Sequence, residues 1–299
     1  MNQNSVFNGV WTAVITPFKD DLQIDWAAFE RILEHQSKGG VHGIVVSGTT
    51  GEGPTLSNQE KLALVKRARS ILPASIRVMA GTGGNNTEQS VELSKLAEDA
   101  GADSLLIVTP PYNKPSPTGL LKHFEMISAA TKIPLCLYHV PGRTGQMLSV
   151  DTIARVLAMP HVGLMKEATG DIALYSRVLQ QCSGKPILSG DDATWLASMA
   201  IGGSGVISVF TNALPRPAVM LYDAFKRGDL AKARKIHDIL LPFMDIMFCE
   251  SNPGPVKAAM EISGFAKDIL RAPLAPVSSE NRARIDTLLS QTKLALETI

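Results

Sequence analysis

Eight short β-rich runs recur along the chain, separated by stretches with the apolar spacing of helices. The runs fall at 10–17, 43–48, 77–82, 104–110, 134–140, 162–168, 186–190 and 205–210. Stretches at 25–38, 58–72, 87–100 and 118–131 place apolar residues at three- and four-residue steps, the signature of amphipathic helices. Ser57 and Glu60 have capping-box spacing, and Thr87 with Glu88 opens another first turn. Small-residue pairs such as Gly39 and Gly40, Ala100 and Gly101, and Gly202 and Gly203 stop helices before the next strand. Each repeat has the length of a βαβ crossover. Eight of them predict an α/β fold of the (β/α)8 TIM barrel type. A doubly wound open sheet fits less well. Gly81, Thr82, Gly83 and Gly84 follow a strand, yet the third glycine and downstream acid of a dinucleotide site are missing. After residue 210 the strand signal stops, and helical spacing continues at 217–227, 230–248, 255–263 and 279–297. The first of these serves as the last barrel helix. The sequence thus divides into a barrel over 1–227 and a C-terminal helical extension over 228–299 packed on it.

A chain of 299 residues suits one such barrel. Its net charge is +1 with no basic cluster, so neither nucleic acid nor an anionic membrane is the expected partner. Cys136, Cys182 and Cys249 are odd in number, widely spaced and set in apolar stretches, as free thiols in a reducing compartment are. Met1 to Ser5 show no secretion signal, and no segment has the length of a membrane span. A cytoplasmic enzyme is expected.

In a (β/α)8 barrel the chemistry gathers at the C-terminal ends of the strands. The sixth run ends in Leu164, Met165, Lys166, Glu167 and Ala168. Burial disfavours an ammonium, so Lys166 at such a strand end can serve as a free amine that attacks a carbonyl. The alternative is a buried lysine paired with a carboxylate such as Glu167 for structure alone. The second run leads into Gly48, Thr49, Thr50, Gly51, Glu52 and Gly53, whose hydroxyls and exposed amides can cradle a small carboxylate; a capped glycine turn is the simpler alternative. The fourth run is followed by a proline-stiffened loop carrying Tyr112. The fifth ends Tyr138, His139, Val140, Pro141, Gly142, Arg143: Tyr138 can relay a proton and Arg143 can fork onto a carboxylate. Together these suit a Schiff-base site for a small keto acid, of which pyruvate is the smallest. Lys19 is a rival amine, but Asp20 and Asp21 beside it mark an exposed loop. The six histidines show no metal-ligand spacing, and no G-x-S-x-G elbow occurs.

From about Phe7 to about Val277 these motifs in combination resemble the dihydrodipicolinate synthase / N-acetylneuraminate lyase family. The resemblance implies that Lys166 forms an imine with pyruvate and needs no other cofactor and no metal. It implies that Thr50 and the Thr49 amide hold the pyruvate carboxylate. It gives Tyr138, Thr49 and Tyr112 a proton relay, with Tyr112 reaching in from a neighbouring subunit. Arg143 would bind the carboxylate of aspartate semialdehyde, and the Ile207 backbone and Gly190 would close the site. Family members are commonly tetramers built from two tight dimers. Retro-aldol cleavage of sialic or sugar acids is the alternative within the family; a keto-acid sensor without turnover is the alternative outside catalysis. His139 stands where many synthases have asparagine. Gly53, Pro54, Asn58, Lys61, Gln89 and Pro111 depart from the cleft that binds inhibitory lysine in some relatives. Lys61 would repel lysine's ammonium, so insensitivity to lysine is expected.

Overall fold

The computed structural model describes residues 6–299; the expectation about a signal at Met1 to Ser5 lies outside them. Eight parallel strands close in chain order: β1 (Gly9–Ala13), β2 (Gly43–Val46), β3 (Arg77–Gly81), β4 (Ser104–Val108), β5 (Leu135–His139), β6 (Val162–Glu167), β7 (Ile187–Ser189) and β8 (Gly205–Ser208). Pairing of β1 with β8, from Gly9 opposite Gly205 to Thr12 opposite Ser208, closes the barrel and leaves no open edge.

The strand period of two sorts the apolar residues into two cores. One parity fills the barrel interior, with Trp11, Val45, Met79, Leu106, Cys136, Leu164, Leu188 and Ile207. The other parity, including Val10, Ile44, Val78, Leu105, Leu137, Met165 and Val206, packs outward against the helices. Both faces of the sheet are therefore buried, which is why the strands read as unbroken apolar runs. They are shorter than those runs. β1 stops at Ala13, and beyond it the Ile15 amide donates to Asn212 Oδ1 at 3.0 Å instead of to a neighbouring strand.

The helices are α1 (Trp26–Gly39), α2 (Asn58–Ile71), α3 (Thr87–Asp99), α4 (Pro117–Ala130), α5 (Pro141–Thr144), α6 (Val150–Leu157), α7 (Ile172–Gln181), α8 (Trp195–Ala200), α9 (Pro215–Lys226), α10 (Leu230–Ile246), α11 (Gly254–Ile262) and α12 (Ser279–Leu296). Capping follows the sequence at α2, where Ser57 and Glu60 form a reciprocal box. At α3 the cap is Asn86, which accepts from the Gln89 amide, and Thr87 lies inside the first turn. α9 packs on α1 and β1 as the last barrel helix, and α10, α11 and α12 form the C-terminal extension. No helix among the described residues is long and apolar enough to cross a membrane.

A bidentate pair fastens the extension to the barrel. Arg271 donates from Nη1 to Glu60 Oε2 at 2.9 Å and from Nη2 to Glu60 Oε1 at 2.5 Å. The guanidinium holds the Glu60 carboxyl down at about 2. The folded value lies below the unfolded one, so this stabilisation is complete above the ordinary glutamate range and is lost as pH falls toward 2. Glu60→Gln keeps an acceptor for the capping box and removes the charge. In urea titrations its deficit against the unsubstituted protein is expected to be full at pH 6 and to shrink steadily as pH falls below the glutamate range. A deficit independent of pH would mean that the pair is not electrostatic.

Candidate active site

Lys166 and Tyr138 are direct partners in the β5–β6 ladder and point the same way, into the upper end of the barrel. Each is 6% exposed. The Lys166 ammonium lies over the Tyr138 ring, 4.5 Å from its centre. Glu167 is not its partner. One residue further along the strand, Glu167 faces outward, accepts from the Thr169 amide at 3.0 Å and approaches His139 Nδ1 at 3.5 Å. No carboxylate among the described residues pairs with Lys166. Its amine instead borders a cavity of about 120 Å³ shared with Tyr138, Thr49, Thr50, Arg143 and Gly190. Gly190 is small for a steric reason: a Cβ there would lie 2.7 Å from Lys166 Cε and 2.6 Å from Ala168 Cβ. Ile207 lies in the interior layer, and Val209 rather than Ile207 lines the cavity.

The loop after β2 is curled tightly. Ser47 and Glu52 are left-handed, with φ of 52° and 54°, and the Gly53 amide closes onto the Gly48 carbonyl at 3.0 Å. A Cβ on Gly53 would sit 2.2 Å from the Ser47 carbonyl oxygen, so glycine is required. The curl puts Thr49 and Thr50 on the cavity wall and sends Glu52 inward, where it is 1% exposed. There it forms an ion pair with Lys257 of α11, also fully buried. Lys257 further donates to the Ile269 carbonyl at 2.6 Å and lies 4.2 Å from the Phe18 ring centre. Burial pushes the Lys257 ammonium down to about 8, with Glu52 opposing the shift. The second oxygen of Glu52 accepts from the Arg271 amide at 3.0 Å. From the same extension, Asn252 donates to Thr50 Oγ1 at 3.0 Å. Thr50 and Glu52 of this loop are thus held by residues two hundred positions away in sequence.

Arg143 sits on α5, a single turn begun by Pro141, and is exposed at the cavity mouth. His139 points to the opposite side of its strand from Tyr138. Its Nε2 accepts from the Leu148 amide at 3.1 Å, which leaves Nδ1 to carry the proton toward Glu167. The ring is fully buried behind the strand, and it braces the 145–149 loop rather than facing the cavity. Tyr112 is not brought into the cavity at all: it is left-handed, with φ of 71°, and 90% exposed. A second cavity of about 400 Å³ adjoins the first across Thr49 and Tyr138, and Gly53, Pro54, Lys61, Gln89 and Pro111 line it. Asn58 is not part of that lining. No group of three metal-ligating side chains occurs among the described residues.

Sequence reasoning missed Asn252, Asp191, Phe248 and Val209, which all border the Lys166 cavity. Asn252 precedes a proline after a helix, and such a pair reads only as a turn. The ion pair of Glu52 with Lys257 was equally hidden, since a lone lysine in a helix carries no sign of its partner.

Fold and site together define a (β/α)8 barrel built around an inward-facing lysine near the end of its sixth strand. The chain belongs to the dihydrodipicolinate synthetase family, whose model matches residues 6–292. It is 40% identical over 293 residues to a 4-hydroxy-tetrahydrodipicolinate synthase of Magnetococcus marinus, covering 98% of this chain and 100% of that protein. The solved 4-hydroxy-tetrahydrodipicolinate synthase of Methylacidiphilum fumariolicum is 41% identical and superposes with a TM-score of 0.95, covering 98% of each chain. The chloride-inhibited dihydrodipicolinate synthase of Acinetobacter baumannii, solved with pyruvate, is 37% identical with a TM-score of 0.93, covering 96% of this chain and 99% of that one.

Proposed function

We propose that the protein is a 4-hydroxy-tetrahydrodipicolinate synthase, a lyase that condenses pyruvate with L-aspartate-4-semialdehyde on the route to diaminopimelate and lysine. The observation that carries this is the placement of the Lys166 amine: inward-facing, buried, free of a carboxylate and stacked on Tyr138. The amine adds to the pyruvate ketone and expels water, forming a protonated imine. The imine withdraws electrons, so the adjacent methyl group loses a proton and becomes an enamine carbon that attacks the aldehyde. Thr50 and the Thr49 amide hold the pyruvate carboxylate, and Arg143 at the mouth takes the carboxylate of the semialdehyde. Tyr138 and Thr49 pass protons to and from the reacting carbon and oxygen atoms. Gly190 keeps the space above the amine open.

Tyr112 completes the relay from a second copy of the chain, which suits its outward position. We therefore place the active form in a homodimer or a tetramer of two such dimers. The three cysteines are free, as in a reducing cytoplasm. In the second cavity, burial lowers the pKa of Lys61, but any positive charge it keeps opposes a lysine ligand.

The test is a coupled assay in which added dihydrodipicolinate reductase consumes NADPH as product forms. Turnover with pyruvate and aspartate semialdehyde is expected, unchanged by millimolar lysine. Arg143→Ala is expected to raise the semialdehyde KM by roughly 10- to 100-fold, the scale of a lost charge-assisted pair, with the pyruvate KM little changed. A folded protein without turnover overturns the assignment, and half-inhibition by sub-millimolar lysine overturns the reading of the second cavity.

A further inference from the structure

We propose that Asn252, supplied by the C-terminal extension, is a positioning residue that sets the direction of the Thr50 hydroxyl and thereby the affinity for the keto acid carboxylate. The inference rests on reading Thr50 as part of the carboxylate cradle. Asn252 and Thr50 are 5% and 3% exposed, and both border the Lys166 cavity. Asn252 Nδ2 donates to Thr50 Oγ1 at 3.0 Å. A hydroxyl has a single proton and accepts through its lone pairs. With one lone pair occupied by the amide, the Thr50 proton is free to turn toward an anion in the cavity.

The other end of the amide supports a role beyond packing. Asn252 Oδ1 is buried without a hydrogen-bond partner among the described residues. A side chain kept only to fill space would do better without that desolvated oxygen. The position of Asn252 is itself fixed from below. The Lys257 amide at the start of α11 donates to the Pro253 carbonyl at 2.9 Å, and the Lys257 side chain grips Glu52. The extension therefore holds the substrate loop at two points, Thr50 through Asn252 and Glu52 through Lys257.

Asn252→Asp separates orientation from packing, because the shapes match but a carboxylate only accepts. It would capture the Thr50 proton, turn lone pairs toward the cavity and add negative charge beside the substrate carboxylate. Pyruvate KM and kcat would be measured at saturating semialdehyde, together with the pyruvate concentration that half-saturates borohydride trapping on Lys166. Asn252→Asp is expected to raise both pyruvate values by roughly 100-fold, and Asn252→Ala by roughly tenfold, with the semialdehyde KM and kcat little changed. Thr50→Val combined with Asn252→Ala is expected to be no worse than Thr50→Val alone, since the asparagine acts through the hydroxyl. An aspartate variant milder than the alanine variant, or additive effects in the double variant, overturns the proposal. If the aspartate variant does not fold, the alanine variant and the double variant decide the matter by themselves. Thr50→Val with unchanged pyruvate KM would instead overturn the cradle reading. Thr50→Val with raised KM beside an inert Asn252→Asp would overturn this proposal alone.

Discussion

Lys166→Ala is expected to leave a folded barrel that neither condenses its substrates nor traps pyruvate. In the unsubstituted protein, borohydride with pyruvate should add the mass of one reduced pyruvate adduct per chain, and in Lys166→Ala it should add none. Turnover should fall by roughly 10⁴-fold or more, the scale of removing a covalent nucleophile. Stability should respond quite differently. Lys166 is 6% exposed and no carboxylate among the described residues pairs with it, so its removal relieves a desolvated amine as it opens a small void. The thermal midpoint is expected to stay level or rise. Gly190→Ala probes the same amine without touching it. Its new Cβ would fall 2.7 Å from Lys166 Cε, so the lysine must shift and trapping must weaken while the strands stay paired. Persistent trapping in Lys166→Ala would move the imine to another amine, with exposed Lys19 the first to examine.

Lys257→Met is expected to cost roughly 3–5 kcal/mol of stability, because it leaves the Glu52 carboxylate buried without the amine that donates to it. Guanidinium titration measures this directly. Replacing both partners, as Glu52→Gln with Lys257→Met, should recover much of the loss, since the charge is removed along with its partner. A single substitution within about 0.5 kcal/mol of the unsubstituted protein would show that the pair contributes little. The pH dependence has a defined sign. Lys257 is depressed to about 8 from its ordinary 10.5, so between those values the unfolded chain holds a proton that the folded one has released. This group therefore favours the fold increasingly as pH rises through that window and loses that contribution as pH falls toward 8. Lys257→Met should flatten that slope. It should also raise the pyruvate KM, because the loop that carries Thr49 and Thr50 hangs on Glu52.

The barrel was legible because it depends on local patterning. A strand buried on both faces must be apolar throughout, and a helix that covers it must be apolar on one side. Those constraints act within a dozen residues, so eight strands and their helices can be counted along the chain. The strand-end lysine was legible for the same reason: an ionisable group closing an apolar run is unusual wherever it lies. Thr49, Thr50, Tyr138 and Arg143 became a candidate set once strand ends and the loops after them were known to share one face of the barrel.

How those residues are held, and which way they point, became visible only once the chain was folded. Neighbours in sequence parted: Lys166 turned into the barrel, while Glu167 turned out to His139, since a strand sends successive side chains to opposite faces. Distant residues met: Asn252 reached Thr50, and Lys257 reached Glu52. No local pattern encodes such contacts, because their partners are chosen by the docking of the C-terminal helices on the barrel rather than by spacing along the chain. The barrel and the candidate residues at its strand ends follow from local patterning; the geometry in which those groups stand comes from strand alternation and from the packing of the extension.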